Sequence, residues 1–543
     1  MPQEPENITF SGISLSPGMA AGDVHLYQDI LQYEYGDEEI KPEQVDEEWR
    51  RLAAGMEQVR TKLSEAEQHI QEEVSPSLAG VFRAHRQILQ DPTLARELEN
   101  EIETNLLTAE EALQRVFSRW EQRFREMESE TYQVRDADVA DLARRILKVL
   151  LDINAHALEN MPPNSVVVAR RLYPSDVVFF STSPPAAIVV QTGSPGSHCA
   201  LFARELGIPG VGQISEIWEK ASEVQCILVD GIHGTVVLSP TEQAHSRFRE
   251  QQNEYNRTLE KAKSRCNEEA ITKSGQKIPV LANIGNQNDA RRAADNGADG
   301  IGLYRTEILY AMRETFPTED ELVEEMAQVL APLDEHRCVV RLMDIGGDKE
   351  LPFLESFSES NPFLGRRGIR LLFHYQKLLR VQLRALIKLS KSFQIQIMVP
   401  MVTVADDMKR VRKILMEEAA EMGVDNPPPL VALIETPAAA LCTKEIARYS
   451  DSLSVGTNDL TQYTMAAGRD NPLVSHYFQD DHPAIVRLLR LVCREAADKQ
   501  VFICGELAGR LDTIPTLLDA GVQMLSVAPP VIPSVKQAVR KTE

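Results

Sequence analysis

Cysteine is sparse in this sequence and never closely paired. Seven residues, Cys199, Cys226, Cys266, Cys338, Cys442, Cys493 and Cys504, are scattered over 543 positions without a CxxC spacing, which excludes a disulfide framework and a structural zinc site. A reducing, cytoplasmic setting follows. No apolar run approaches the roughly 18 residues that a membrane span needs, and the opening MPQEPENITF has no basic segment followed by an apolar one. The expectation is a protein without membrane insertion that is not secreted by the usual route. Positive charge is also short, with 58 Lys and Arg against 81 Asp and Glu and a net charge of −23. General affinity for nucleic acid is excluded, so an anionic ligand must be held by a local basic cluster. No glycine-rich phosphate loop is present, which leaves no place for a nucleotide-binding domain.

What is present divides along the chain. A length of 543 residues, at the soft prior of roughly 150 residues per domain, predicts two to four domains. Residues Ile8 to Tyr27 alternate short apolar runs with Gly12, Pro17, Gly18 and Gly22, which reads as two brief strands and a turn. These need a partner sheet, and the next strand-like text begins near Ser165, so a long insertion interrupts one domain. The insertion is helical, over 34–155: Trp49, Leu52, Met56, Val59, Leu63, Ala66 and Ile70 recur in steps of three and four, the stripe of one helix packed along another. Its Met and aromatic positions are read as core, and its acidic outer face as solvated or as a docking surface.

From Pro163 to Pro240 strand and helix signals alternate, giving an α/β domain over 1–33 plus 156–240. Within it QTGSPGSHCALFAR, Gln191 to Arg204, places His198 behind small loop residues and ahead of a short helix that Gly207 and Pro209 stop. Free N–H groups and the helix dipole there would favour a neutral imidazole and an anion carried on it. Taken alone, the histidine reads first as a helix-capping residue. Residues 241–264 are polar and helix-prone, a helical linker that would let two rigid halves move.

After residue 265 the pattern becomes repeated strand then helix. Eight apolar strand segments, from PVLANI at 279 to MLSVA at 528, separated by helix-length text, spell a (β/α)8 barrel over 265–543. An open doubly wound sheet is the alternative, disfavoured by the count of eight and by the lack of GxGxxG after the first strand. Active sites of barrels lie at the C-terminal ends of the strands. There the sequence puts Arg305 after strand two, Arg341 in strand three, Glu435 after strand five, Asn458 and Asp459 after strand six with Arg469 further along, and Cys504 after strand seven. Three guanidinium groups at one mouth suit a small, multiply anionic substrate. Two carboxylates, Glu435 and Asp459, suit Mg²⁺ bridging protein and phosphate oxygens. Cys504 is either a small core residue or an acid or base.

In order, GLYRTEILY, RLMDIGGDKELPF, NPFLGRRGIR, IETPAAA, SVGTNDLTQYT and CGELAG in the barrel, with SPGMAAG near the start and VFRAHRQILQDP and YQVRDADVADLARRI in the helices, resemble Enzyme I of the bacterial phosphotransferase system, the phosphoenolpyruvate-protein phosphotransferases. The resemblance covers almost the whole chain. It implies a swivelling α/β phosphohistidine domain with an inserted helical domain that docks the histidine-containing phosphocarrier protein. It also implies a barrel that binds phosphoenolpyruvate and Mg²⁺, and a homodimer formed through the barrel. On matching positions, Arg305, Arg341, Asn458, Asp459 and Arg469 would hold substrate, Glu435 and Asp459 the metal. His198 would take the phosphoryl group and Cys504 would protonate the enolate. Such a chain performs the first step of sugar uptake, a branch favoured by the lack of a sensory segment before residue 8.

The sequence departs from this pattern in three places. The histidine loop reads Gly193-Ser194-Pro195-Gly196-Ser197-His198 where the family has Gly-Gly-x-Thr-Ser-His, Arg510 replaces an acidic residue, and Leu525-Ser526-Val527-Ala528 ends strand eight. Two competing readings are the pyruvate phosphate dikinase and phosphoenolpyruvate synthase relatives, which need a nucleotide domain, and a regulatory sensor, which would need no proton donor.

Overall fold

The computed structural model describes residues 7–27, 40–73, 82, 85–86, 88–126, 130–152, 158, 161–173, 176, 178–181, 183–193, 197–222, 224–311, 313, 315–346, 353, 359, 361–468 and 474–543. It divides into two compact units, Met1–Asn256 and Arg257–Glu543. The boundary falls inside a single helix, Glu242–Ser264. Among the described residues no helix is long and apolar enough to cross a membrane.

The first unit is built on an eight-stranded mixed sheet: β1 (Ile8–Ser11), β2 (Ile13–Ser16), β3 (Met19–Tyr27), β4 (Ser165–Ala169), β5 (Ala187–Val190), β6 (Gly210–Gly212), β7 (Cys226–Asp230) and β8 (Thr235–Leu238), in the order β1-β8-β7-β3-β4-β5-β6-β2. Strands β3 and β4 are parallel neighbours, Asp23 opposite Ser165, although the helical segment separates them in sequence. The N-terminal text holds three strands where two brief ones are expected. Gly22 is the reason: it lies within β3, where an added Cβ would sit 2.0 Å from the Asn164 carbonyl oxygen, so this glycine marks a close backbone approach instead of a turn. Between β3 and β4 run the helices Val45–Glu73, Pro92–Asn105, Ala109–Glu126 and Glu130–Leu150. Leu52, Val59 and Leu63 of the first share one buried cluster with Leu142, Ile146 and Leu147 of the last. Each such side chain contributes roughly 1.5–3 kcal/mol by leaving water, which is why the stripe of three and four spacings decides the packing.

The second unit is a closed barrel of eight parallel strands: β9 (Val280–Ile284), β10 (Ile301–Arg305), β11 (Arg337–Arg341), β12 (Gln394–Val402), β13 (Leu430–Ile434), β14 (Ser452–Val455), β15 (Gln500–Ile503) and β16 (Met524–Val527), with β16 returning to β9. Side chains alternate between lumen and surrounding helices. Leu281, Leu303, Val339, Met398, Val431, Leu433, Phe502 and Met524 fill the lumen, and Cys504 joins them. Their neighbours, such as Val280, Ala282, Val340, Ala432 and Ile503, pack against the helices. Apolar residues on both faces are what make these strands continuous apolar text. Gly302 lets the lumen close, because a Cβ there would meet Ser526 Oγ at 2.3 Å.

Candidate active site at the barrel mouth

The parallel strands all deliver their C-terminal residues to one end, and the register places Arg305 of β10 directly opposite Arg341 of β11. Two guanidinium groups on adjacent strands repel unless anions intervene. Arg341 is balanced by protein: Nη2 donates to Glu307 Oε1 at 3.0 Å and Nη1 lies 3.1 Å from Asp344 Oδ2. Burial alone would lower its pKa, but the carboxylates of Glu307, Asp344 and Glu435 outweigh it and keep Arg341 charged. Its buried Nε has no hydrogen-bond partner. Arg305 makes no hydrogen bond or ion pair among the described residues, and enclosure by the site together with the charge of Arg341 lowers its pKa.

The carboxylates come from the next strands. Glu435, just past β13, is 1% exposed and accepts the Met401 N–H at 2.6 Å. Burial, followed by the negative charges of Asp459 and Asp344, pushes it well above the usual carboxylate range, against the pull of Arg367 and Arg341. Asn458 and Asp459 occupy the first turn of the helix Thr457–Met465 that follows β14. Asn458 Oδ1 accepts the Glu506 N–H at 3.0 Å, tying the loops after strands six and seven. Cys504, just past β15, is 4% exposed, and burial pushes its thiol up to about 11.

These residues line one cavity of about 210 Å³, which takes in Arg305, Arg341, Glu435, Asn458, Asp459 and Cys504. Six of the barrel residues singled out in the sequence are therefore brought together. Arg469 lies outside the described residues. His198 belongs to the first unit, where it opens the helix His198–Leu206; Ser197 caps that helix by accepting the Ala200 N–H, and Gly207 ends it in the left-handed conformation at φ 68°. The helix start and stop therefore fall where Ser197 and Gly207 put them. The imidazole itself is outside the described side chains, as are residues 194–196 of the altered loop.

Two cavity residues escape a reading by strand ends. Arg367, in the segment between β11 and β12, grips Asp344 through Nε at 3.1 Å and Nη2 at 3.0 Å, and Asp459 through Nη1 at 2.6 Å and Nη2 at 3.2 Å. Glu307, two residues past β10, accepts from Arg341 and from the Asp344 N–H at 2.9 Å. The dipeptide Arg366-Arg367 between Gly365 and Gly368 was the available signal, a charged pair set among glycines. Arg510, the departure after strand seven, is a surface hub that reaches Asp480 at 2.7 Å, Asp481 at 2.8 Å and Asp512 at 3.0 Å.

Among the described residues no group of three or more His, Cys, Asp or Glu side chains could by itself hold a metal ion. Glu435 and Asp459 line the cavity as a pair, and their mutual repulsion raises Glu435. Such a pair fits a hard divalent cation that keeps other ligands from water or substrate.

Three family models match in order along the chain: PEP-utilising enzyme, N-terminal, over 11–135; PEP-utilising enzyme, mobile domain, over 161–234; and PEP-utilising enzyme, PEP-binding domain, over 259–543. A phosphoenolpyruvate-protein phosphotransferase of Listeria monocytogenes is 35% identical over 525 residues, 95% of this chain and 91% of that one. That of Bacillus subtilis is 34% identical over 529 residues, again 95% and 91%, and that of Staphylococcus carnosus 32% over 536 residues, 97% and 93%. The match runs through the strands that build the cavity and through the helix that His198 opens, and on that footing the chain belongs to the phosphoenolpyruvate-protein phosphotransferase family of PEP-utilising enzymes.

Proposed function

We propose that the chain moves the phosphoryl group of phosphoenolpyruvate onto His198 and then onto the histidine of a phosphocarrier protein, releasing pyruvate, as the first step of sugar uptake. The observation that carries the reading is the mouth itself: two arginines in register, one of them without a hydrogen-bond or ion-pair partner among the described residues, lining one cavity with the carboxylates of buried Glu435 and half-buried Asp459. Arg305 and Arg341 receive the phosphate and carboxylate oxygens through paired donors. Asn458, Asp459 and Arg469 complete the substrate contacts. Glu435 and Asp459 would hold Mg²⁺, whose positive charge, when bound, offsets charge on phosphoryl oxygens. A nitrogen of His198 attacks phosphorus, the bond from phosphorus to the enolate oxygen breaks, and the arginines stabilise the charge that spreads over the equatorial oxygens. The enolate carbon then takes a proton from the Cys504 thiol, which its burial keeps protonated near neutrality.

The domains divide this labour. Residues 1–33 with 156–240 form the swivelling domain that carries His198, 34–155 the helical domain that docks the carrier, 241–264 the linker, and 265–543 the barrel, which also pairs two copies as a homodimer. The protein works in the cytoplasm. Phosphoenolpyruvate labelled at phosphorus, given with Mg²⁺, is expected to place an acid-labile label on the wild type and none on His198→Ala. Persistent label on the variant would overturn the assignment. Transfer of label from the enzyme to purified phosphocarrier tests the second half.

A further inference from the structure

Near Cys504 the barrel interior carries buried hydroxyls, Ser454 of β14 and Ser526 of β16. Ser454 is fully buried, and its hydroxyl donates to Cys504 Sγ at 3.3 Å. A hydroxyl so placed loses its water and needs a partner, and a leucine or valine would fill the space at lower desolvation cost. The backbone of Cys504 is pinned independently: its N–H donates to Val455 O at 3.1 Å, and Asn283 Nδ2 donates to its carbonyl oxygen at 3.0 Å. Asn283 is in turn held by the Ser526 hydroxyl at 2.6 Å. The main chain is thus fixed from two strands, while the sulfur is fixed by Ser454, with Val455 O accepting the thiol at 3.8 Å.

We infer that Ser454 is a positioning residue for the proton-transfer step: its O–H holds the Cys504 sulfur toward the cavity and donates to the thiolate that forms there. This rests on the role of Cys504 given above. In that step the S–H bond breaks and its electron pair stays on sulfur. The enolate double bond supplies the pair for the new C–H bond of the methyl group, and the C–O⁻ becomes the ketone of pyruvate. A water molecule later returns a proton to sulfur. The anionic sulfur is buried away from water, where a donor is worth more than in solution. Among the influences on the thiol, the Ser454 hydrogen bond is the strongest one opposing burial, ahead of Arg341 and Arg305.

The proton step can be read apart from phosphoryl transfer, as exchange of pyruvate methyl hydrogens with solvent deuterium in the presence of enzyme and Mg²⁺, followed by proton NMR. Ser454→Ala is expected to slow exchange about tenfold, the size of one hydrogen bond to a charged group. Single-turnover labelling of the same variant by labelled phosphoenolpyruvate should stay within about twofold of wild type, because phosphoryl transfer does not use the thiol. Ser454→Thr, which keeps the hydroxyl, should restore most of the exchange. Unchanged exchange in Ser454→Ala would overturn the inference, as would equal slowing of exchange and labelling, the mark of a packing defect. Cys504→Ala separates the two readings. Exchange at the wild-type rate in that variant would remove Cys504 itself from the proton step, whatever Ser454 does.

Discussion

Arg144, buried in the first unit, and Arg341, half-buried in the barrel, are both guanidinium groups set among carboxylates, yet their surroundings differ in one respect. Arg144 is 1% exposed and donates to Asp176 Oδ2 at 3.0 Å and Oδ1 at 3.2 Å, and to the Tyr27 hydroxyl, while its plane lies 4.5 Å from the Tyr173 ring centre. Tyr27 closes the circle by donating to Asp176 Oδ1 at 2.6 Å. The network joins the helix Glu130–Leu150 to the end of β3 and is sealed within the core. Around Arg341 the circle stays open: its Nε lacks a partner, and Arg305 beside it has none among the described residues. A closed network lowers the energy of one arrangement of the chain. An open one stores unsatisfied donors for something that arrives later.

Removing the centre of the closed network should have the largest effect. Arg144→Ala removes the guanidinium that pairs with buried Asp176, and breaking a buried pair in this way costs about 3–5 kcal/mol. Denaturant unfolding of the full chain should show that loss in the transition of the first unit, while phosphoenolpyruvate binding to the barrel persists. A loss below about 1 kcal/mol would break the comparison. The barrel arginine should behave in the opposite way. Arg305→Ala removes no hydrogen bond or ion pair among the described residues, so its melting temperature should match wild type. Its kcat/KM for phosphoenolpyruvate should fall about 10²–10³-fold, the usual cost of a lost donor to transition-state charge. A stability loss without a kinetic one would make Arg305 a structural residue.

The same contrast explains what could be read from the sequence. The barrel was legible because each strand is short apolar text between turn signals, and because a strand end is a fixed address: Arg305, Arg341, Glu435, Asn458, Asp459 and Cys504 reach one cavity by strand geometry alone. Arg367 was not, since it comes from the long connection between β11 and β12 and meets Asp459 92 positions away. Nothing local encodes that meeting. Arg144 was hidden for a further reason: an arginine in an amphipathic helix reads as part of a solvated face, and only the tertiary approach of Asp176, 32 positions on, makes it core. Gly22 misled in the opposite sense, a turn signal that turned out to mark strand crowding. Local pattern therefore located the elements, whereas charge pairing across loops was decided by the fold.

The smallest expected effect probes the rim of the closed network. Lys148 lies one turn beyond Arg144 on the same helix; burial pushes its ammonium down from the ordinary 10.5 to about 8, Asp176 works against that, and Arg144 adds to it. Between about pH 8 and 10.5 the unfolded chain keeps a proton on this lysine that the folded chain has released. The unfolded state then binds more protons, so stability rises with pH across that window and is flat in this group below it. Lys148→Met should abolish the rise, leaving the difference in melting temperature between wild type and variant to change only above pH 8. If the difference were constant from pH 6 to 10, the lysine would be solvated as an ordinary surface residue. The sealed character of the network would then end at Arg144, and the contrast with the open barrel mouth would rest on that one guanidinium.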